Sequence, residues 1–413
     1  MYSATMEQAF YTDILPCGMR LVCAPGRSDV VYCGVAVDAG TRDEGMRENG
    51  IAHYTEHLSF KGTLGRNAWH IINRMESVGG ELNAFTGKEE TVYYCTCMKE
   101  HFARAVDVLM DIVFRSTYPE KEMEKEVEVV ANEIESYNDS PSELIYDEFE
   151  NMLFQGHPLG RSILGDADQL RRLTTADILR FTHRLYTPSR AVLFVYGPIP
   201  PARVKAIAGK YGPTDASIQS VAPRTPLPPY SPQTATRTLD THQAHVMIGT
   251  RAFAAQHPCH MALCLLSNML GGSGMNSRLN QSLRERHGLV YTVESNLTAY
   301  TDTGVWAVYF GCDPSQADRC ISLVQKELDK LLRAPLSPAT LQAAKRQFKG
   351  QLGLSCDNFE NVAIGMGKRF LHYHNTLSRQ QLCDKIDALT PDMLWQVACQ
   401  VFQPDLLSVL KYV

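Results

Sequence analysis

Hydrophobic and polar residues alternate with two different periods along this chain, and these periods predict a mixture of helices and strands. Residues 18–37 are predicted to form two strands around a turn at Pro25-Gly26. Residues 81–98 are rich in Thr, Val and Tyr and are predicted to form a pair of strands. Helical patterns occur in residues 50–60, 67–78, 101–114 and 120–137. Because strand pairs are not strictly interleaved with single helices, we predict largely antiparallel sheets.

A proline-rich stretch near the middle of the chain interrupts this rhythm. Residues 211–240 contain six prolines with Ser and Thr between them, a composition typical of a linker. On either side, residues 173–188 and 389–404 resemble each other without gaps, and each leads into a strand-like run. This repeat indicates a duplication. We therefore predict an α+β fold of two homologous halves, each a mostly antiparallel sheet flanked by helices, over residues 1–210 and 241–413.

Composition and charge narrow the class of protein. The chain has 413 residues, 44% of them hydrophobic, and a formal net charge of −5, which gives no case for binding nucleic acid or an anionic membrane. No apolar run is long enough to span a bilayer, and the N-terminus lacks a signal-peptide pattern. None of the twelve cysteines has CxxC spacing, so reduced thiols are expected. We predict a cytoplasmic protein, or one of an organelle matrix if a transit peptide has been removed.

The strongest candidate for chemistry is a pair of histidines in a predicted helix. His53 and His57 are four positions apart, so both imidazoles lie on one face and can reach a single metal ion. Imidazole is a common Zn²⁺ ligand, and Glu56 stands beside His57 without needing to bind the metal. A carboxylate in that place can take a proton from a water at the metal and give it to a leaving amine. This HxxEH pattern is the inverted form of the HExxH arrangement of zinc peptidases.

A catalytic zinc ion also needs a third protein ligand, and the acidic helix over residues 120–135 offers several. Glu126 and Glu133 are seven positions apart and therefore share one face of that helix. The remaining glutamates are more simply interpreted as solvated charges, namely Glu122, Glu124, Glu128 and Glu135. Spacing alone does not choose between Glu126 and Glu133.

These residues resemble the pitrilysin-type zinc peptidases, a family that includes mitochondrial processing peptidase and insulin-degrading enzyme. The resemblance starts from the HxxEH pattern with its downstream glutamate pair and continues in the same order through most of the chain. Within the family, the chain resembles the short branch of bacterial and mitochondrial processing peptidase-like proteins. Further matching segments are residues 60–63, 79–93, 157–165 and 270–291. One departure is Ser273, which interrupts a glycine-rich run of the family.

The resemblance implies roles in the first half. In this family the later glutamate of the pair binds zinc, which implies Glu133 as the third ligand of one Zn²⁺ per chain. Glu126 would then orient the site from behind the ligands. Asn83, Ala84 and Phe85 would lie on an edge strand that pairs with the backbone of the peptide substrate.

The resemblance also implies a role for the second half. Arg284 and Tyr291 match the pair that contacts substrate and stabilises the developing oxyanion. Larger members of the family close four such units around the substrate, so a chain with two units is expected to form a homodimer. Arg284 and Tyr291 would then act in trans, on the zinc site of the other subunit. A closed chamber of this kind would admit short or unfolded peptides.

The predicted function is therefore that of a zinc-dependent endopeptidase with Glu56 as general base. One alternative is a non-catalytic subunit of the same family that binds peptides or builds complexes, and another is a zinc-stabilised scaffold. Other histidines do not have standard ligand spacing and are interpreted as packed or solvated side chains, namely His242, His245, His257, His260, His372 and His374.

Overall fold

A computed structural model describes residues 10–214, 223–239 and 241–413. Its strands, in chain order, are β1 (Tyr11–Ile14), β2 (Arg20–Pro25), β3 (Val30–Val37), β4 (Glu81–Thr86), β5 (Thr91–Met98), β6 (Ala191–Gly197), β7 (Thr234–Arg237), β8 (Ala244–Ala252), β9 (Val290–Ala299), β10 (Gly304–Cys312) and β11 (Ser408–Tyr412). Its helices are α1 (Ile51–Ser59), α2 (Ala68–Glu76), α3 (Phe102–Phe114), α4 (Glu120–Asn138), α5 (Pro141–Leu153), α6 (Ala167–Leu170), α7 (Thr175–Leu185), α8 (Pro201–Tyr211), α9 (His260–Gly271), α10 (Ala317–Arg333), α11 (Pro338–Ser355), α12 (Phe359–Tyr373), α13 (Arg379–Asp387) and α14 (Pro391–Val401).

These elements form two compact units, each built on one sheet. The first unit comprises Met1–Glu135, Arg161–Thr225 and Ser355–Arg379. The second comprises Ser136–Gly160, Pro226–Leu354 and Gln380–Val413. The predicted α+β class with a mostly antiparallel sheet in each half is confirmed.

The sheet of the first unit has the strand order β1-β2-β6-β3-β5-β4, in which β2 and β6 form the one parallel pair. All seven residues of β6 are buried, because helices cover both faces of the sheet. Helices α1 and α3 pack on one face, and α12 packs on the other. Strand β4 lies at the edge, where its outer backbone groups have no neighbouring strand in the described residues.

The sheet of the second unit repeats this plan in the order β7-β11-β8-β10-β9, with one parallel pair between β11 and β7. Helices α9 and α14 contribute to the core on one face, and α5 covers the other. Strand β9 occupies the edge position that β4 occupies in the first sheet. The five strands of the second sheet thus match β2, β6, β3, β5 and β4 of the first in order and direction, as a duplication predicts, and β1 has no counterpart among the described residues.

The boundary between the two compact units does not coincide with a single division of the sequence at the linker. Helix α5 precedes the linker but packs on β8 and β11 of the second sheet, and α12 follows the linker but packs on β3 and β6 of the first. Each sheet therefore has one face covered by a helix from the opposite half of the sequence. The predicted ranges 1–210 and 241–413 differ from the units by these two exchanged segments.

The predicted linker, residues 211–240, is only partly described, since residues 215–222 and 240 lie outside the described residues. Within it, β7 forms a strand that pairs with β11. Four residues are too few for a period-two pattern to be recognised, and the strand forms where β11 offers an edge to pair with.

Two further properties follow from the described residues. No helix in this part of the chain combines the length and the apolar character that a bilayer crossing requires. All twelve cysteines lie in described segments, and all are free thiols.

Candidate metal centre

Helix α1 is held at its N-terminus by a glycine and a buried carboxylate. Gly50 precedes the helix with φ of +87°, and a Cβ there would lie 2.8 Å from Cα of Gly165, so only glycine fits. The Glu44 carboxylate accepts hydrogen bonds from the backbone N–H groups of Gly50 (3.1 Å) and Ala52 (2.9 Å). Burial raises the pKa of Glu44 to about 8, against the effect of these two bonds. This arrangement fixes the start of the helix that carries the histidines.

The structure brings three of the predicted metal ligands together. Nε2 of His53 lies 3.8 Å from Oε1 of Glu133, and Nε2 of His57 lies 3.6 Å from Oε2 of the same carboxylate. One ligand atom from each residue lies within 4.8 Å of the other two. His53 and His57 come from α1 and Glu133 comes from α4, so packing between these helices creates the cluster.

The earlier glutamate of the pair on α4, Glu126, contacts the other ring nitrogen of His57. Oε1 of Glu126 lies 2.9 Å from Nδ1 of His57, and Oε2 of Glu126 lies 2.6 Å from Nζ of Lys61. Burial alone would lower the pKa of His57, but the Glu126 hydrogen bond and the surrounding carboxylates outweigh it and raise that pKa. The contact between Glu126 and Nδ1 fixes the orientation of the His57 imidazole, so that Nε2 is free to bind a metal ion.

The donor set fits zinc. Burial, with a smaller contribution from His57, lowers the pKa of His53 to about 3, so this imidazole is neutral at pH 7, the form that binds metal. Two imidazoles and one carboxylate form the three-residue ligand set found in catalytic zinc sites. Among the described residues, no other group of His, Cys, Asp and Glu meets the same distance condition.

Glu56 lies next to these ligands but outside the set. Its side chain is buried, and its Oε2 accepts a hydrogen bond of 2.8 Å from the hydroxyl of Thr86. Burial raises the pKa of Glu56, while the Thr86 bond and His57 act in the opposite direction. A carboxyl group with a raised pKa is suited to accepting a proton and passing it on.

The predicted substrate residues lie on β4, the edge strand of the first sheet. Asn83 is exposed, and Ala84 and Phe85 are half-buried. Ala84 packs with the core that includes α1, whereas Phe85 packs on the face covered by α12. No strand within the described segments pairs with the outer side of β4, so this side is open to a further strand.

Arg284 and Tyr291 lie in the second unit, next to each other. The Arg284 guanidinium carbon is 5.9 Å from the centre of the Tyr291 ring, and Tyr291 is 81% exposed. Arg284 belongs to a π-helical turn, Asn280–Glu285, that leads into β9. Their action across a subunit interface stays a prediction.

Sequence reasoning missed three residues that shape this site. Lys61 and Thr86 lie inside segments that matched the family, but their spacing gives no sign of a contact with Glu126 or Glu56. Glu44 lies six residues before Gly50, and an acidic residue ahead of a helix start was a usable but weak signal.

Comparison with known proteins identifies the family. Residues 24–167 match the family described as insulinase (peptidase family M16), and residues 172–348 match the peptidase M16 inactive domain. The uncharacterized zinc protease YmxG of Bacillus subtilis is 34% identical, over 91% of each chain. The uncharacterized zinc protease SCO5738 of Streptomyces coelicolor is 33% identical, over 94% of this chain and 86% of that protein.

More distant relatives agree with this. The mitochondrial-processing peptidase subunit beta of Bos taurus is 28% identical, over 92% of this chain and 79% of its own. In three dimensions, a protease from Helicobacter pylori has a TM-score of 0.92 at 24% identity, covering 98% of this chain and 100% of that one. At that identity the structural likeness supports the fold. The predicted resemblance is thus confirmed, and this chain belongs to peptidase family M16, which includes proteins named as zinc proteases.

Proposed function

We propose that this protein is a zinc-dependent endopeptidase that cleaves short or unfolded peptides. The observation that carries the proposal is the meeting of His53, His57 and Glu133 around one point, with Glu56 buried beside them and outside the ligand set. A structural zinc site would close its fourth position with another protein ligand and would have no use for a neighbouring free carboxylate.

His53, His57 and Glu133 would hold one zinc ion, and Glu126 would keep the His57 ring in place. When bound, zinc would lower the pKa of a water molecule and polarise the scissile carbonyl. Glu56 would accept a proton from the attacking water and hold it while the peptide carbon becomes tetrahedral. Glu56 would then donate that proton to the nitrogen of the leaving amine, which ends the cycle with the carboxylate restored.

The substrate would bind as an additional strand along β4, next to Asn83, Ala84 and Phe85. Main-chain hydrogen bonds to an edge strand do not depend on side chains, which is compatible with many peptide sequences. An extended conformation is also what short or unfolded peptides can adopt without first losing a fold.

We further propose that the protein acts as a homodimer in which Arg284 and Tyr291 serve the partner's zinc site. The proximity of these two side chains and the exposure of Tyr291 support a shared role in contacting a bound molecule. Mixing Glu56→Gln chains with Arg284→Ala chains tests this, because each mixed dimer would keep one intact site. We expect recovery of roughly a quarter of wild-type activity from two inactive proteins. Absence of recovery under conditions where mixed dimers form would contradict the trans arrangement.

A cytoplasmic location is also proposed, with an organelle matrix as the alternative. Twelve free cysteines are compatible with a reducing compartment.

A non-catalytic subunit is the second candidate, because residues 172–348 match a domain described as inactive. That match covers the part of the chain without His53, His57 and Glu56. The whole protein would be a non-catalytic subunit only if the first half were also catalytically inactive.

The deciding experiment measures zinc content and cleavage of a mixed peptide library on the same sample. We expect about one zinc per chain, cleavage that a chelator abolishes and zinc restores, and loss of cleavage by at least about 100-fold in Glu56→Gln with zinc retained. Bound zinc without cleavage of any peptide would favour the non-catalytic subunit. A Glu56→Gln enzyme with wild-type rates would exclude the proposed mechanism.

A further inference from the structure

We propose that Thr86 is a positioning residue for Glu56, holding one carboxylate oxygen so that the other stays available to the reacting water. The inference rests on the proposed endopeptidase function and adds how its general base is held. Its physical basis is a hydrogen bond from the last residue of the edge strand to the helix that carries the metal ligands.

The contact itself is short and sheltered. The Thr86 hydroxyl donates to Oε2 of Glu56 at 2.8 Å, and the two residues are 9% and 8% exposed. Among the described residues, this is the one hydrogen bond that the Glu56 carboxylate receives. Without it, rotation about the side-chain bonds of Glu56 would be limited by packing alone. A β-branched donor with a restricted χ1 angle is well suited to fixing a carboxylate in one orientation.

Strand geometry directs Thr86 towards this contact. Alternate residues of β4 point to the same face, and Leu82 and Ala84 pack with the core that contains α1. Thr86 continues that series and reaches the buried side of the helix at Glu56. The side chains at 83 and 85 point the other way, so two of the three predicted substrate contacts lie on the face opposite Thr86, whereas Ala84 shares its face.

A buried charge cluster anchors the chain directly after Thr86. Glu89 lies in the turn between β4 and β5, and its Oε1 is 2.6 Å from the Arg42 guanidinium and 3.1 Å from that of Arg224. Arg42 and Arg224 are far apart in the sequence, so two separate segments hold the same turn. Burial in this cluster restricts movement of the turn and hence of the strand end.

The next residue of the turn is anchored from the opposite face of the sheet. Glu90 lies 2.5 Å from Nζ of Lys368 and 3.0 Å from Nε2 of His372, both on α12. The end of β4 is thus fixed by contacts from three distant parts of the chain. Because these contacts hold the end of the strand, the Thr86 hydroxyl has a fixed position from which to orient the Glu56 carboxylate.

The test replaces Thr86 by Val, which keeps the shape and removes the hydroxyl, and by Ser, which keeps the hydroxyl. We expect Thr86→Val to lower kcat by about 10- to 100-fold with zinc content unchanged and the thermal unfolding temperature only slightly lowered, and Thr86→Ser to retain most of the rate. Thr86→Ala is a second variant without the hydroxyl, in case Val is not tolerated.

The matched control is Thr91→Val. Thr91 is the cross-strand partner of Thr86 and donates a bond of the same length, 2.8 Å, but to the carbonyl of Ala39. The control is expected to leave kcat unchanged.

Two readouts separate positioning from a merely structural role. In a Glu56→Gln background, Thr86→Val is expected to cause no further loss of the residual rate, because it acts through Glu56. Crystal structures of wild-type protein and Thr86→Val are expected to show Glu56 in one rotamer in the first and in several rotamers in the second.

The proposal is overturned by a wild-type kcat in Thr86→Val, by an independent loss in the double variant, or by an unchanged single rotamer of Glu56. If the wild-type protein cleaves no peptide, the proposed function fails. The crystallographic comparison then still decides whether Thr86 positions Glu56.

Discussion

Both units pack a helix against the edge strand of their sheet, but among the described residues only the first unit has a carboxylate in the hydrogen bond that joins the helix to that strand. In the first unit α1 lies against β4, and the link between them is the Thr86 hydroxyl on the Glu56 carboxylate. In the second unit α9 lies against β9, and the link is Ser267 Oγ to Ser295 Oγ at 2.8 Å. The same scaffold therefore holds a hydroxyl and an ionisable carboxylate in one copy and two neutral hydroxyls in the other.

The two helices also differ in what they bury. Helix α1 buries His53 and Glu56, whereas the buried face of α9 is largely Ala and Leu. A Cβ on Gly271, at the end of α9, would lie 2.5 Å from the backbone nitrogen of Ser295, so this helix approaches its edge strand closely. Burial of ionisable groups is unfavourable unless they are paired or bind metal. The difference shows that the scaffold alone does not require such groups, which agrees with the catalytic role proposed for the first unit.

The strongest test of this comparison is removal of the third ligand. Glu133→Gln is expected to reduce zinc affinity and peptide cleavage by about 10³-fold or more, because a neutral amide is a poor zinc ligand. Metal titration with a competing chelator, together with kcat/KM, measures both effects. Glu128→Gln, an exposed glutamate on the same helix that pairs with Arg171, is the matched control and is expected to change neither. Wild-type zinc affinity in Glu133→Gln would contradict the assigned ligand set.

The next largest effect concerns stability and pH in the first unit. Burial alone would raise the pKa of Glu90, but the His372 hydrogen bond and the charge of Lys368 hold it at about 2. The folded-state pKa lies below the ordinary value of 4.5, so the stabilisation is complete above about pH 4.5 and is lost as the pH falls towards 2. Glu90→Gln is expected to lower the free energy of unfolding by about 3 kcal/mol at pH 7 and by less than half of that at pH 3.

Urea unfolding of the wild type and of Glu90→Gln at several pH values measures this difference. Glu360→Gln is a control on the α12 helix that holds Glu90, since Glu360 bonds the neutral hydroxyl of Thr96. A difference between wild type and Glu90→Gln that grows as the pH falls would contradict the assigned direction.

A smaller effect on zinc affinity is expected from replacing Glu126, which contacts His57 but is not itself in the ligand set. Glu126→Gln keeps a hydrogen-bond acceptor near His57 but removes the charge that also pairs with Lys61. We expect zinc affinity to fall by about 10- to 100-fold, the range found for changes to groups that orient metal ligands. Chelator competition measures the affinity, and added zinc should recover most of the activity. A loss of activity that excess zinc does not recover would indicate a direct role for Glu126 in the reaction.

The smallest effect is predicted for the second unit. Ser267→Ala removes the hydroxyl contact to Ser295 and is expected to cost about 1 kcal/mol of unfolding free energy without changing kcat. Thermal unfolding and peptide cleavage on the same preparation test both parts. A fall in kcat comparable with that of Thr86→Val would show that the two edge strands are not as different in function as their side chains suggest.

Much of the fold could be predicted because its elements have strong local patterns. The helices over residues 101–114 and 120–137 and the strand pairs at 18–37 and 81–98 have periods that their own sequences specify. Strand β7 could not be predicted, because its four residues carry no pattern and depend on pairing with β11. The exchange of α5 and α12 was also missed, since an amphipathic pattern shows that a helix has an apolar face but does not show which sheet will cover it.

The candidate site divides in the same way. The spacing of His53, Glu56 and His57 on one helix was sufficient by itself to predict that two imidazoles and a carboxylate lie close together, because helix geometry fixes neighbours one turn apart. Spacing did not decide whether Glu126 or Glu133 is the third ligand. The packing of α4 against α1 places the Glu133 carboxylate near the Nε2 atoms of both histidines and Glu126 near Nδ1 of His57. Only the tertiary structure brings Thr86 to Glu56 across thirty residues and Lys61 to Glu126. Such contacts depend on how separate elements pack, and local sequence periodicity carries no information about that packing.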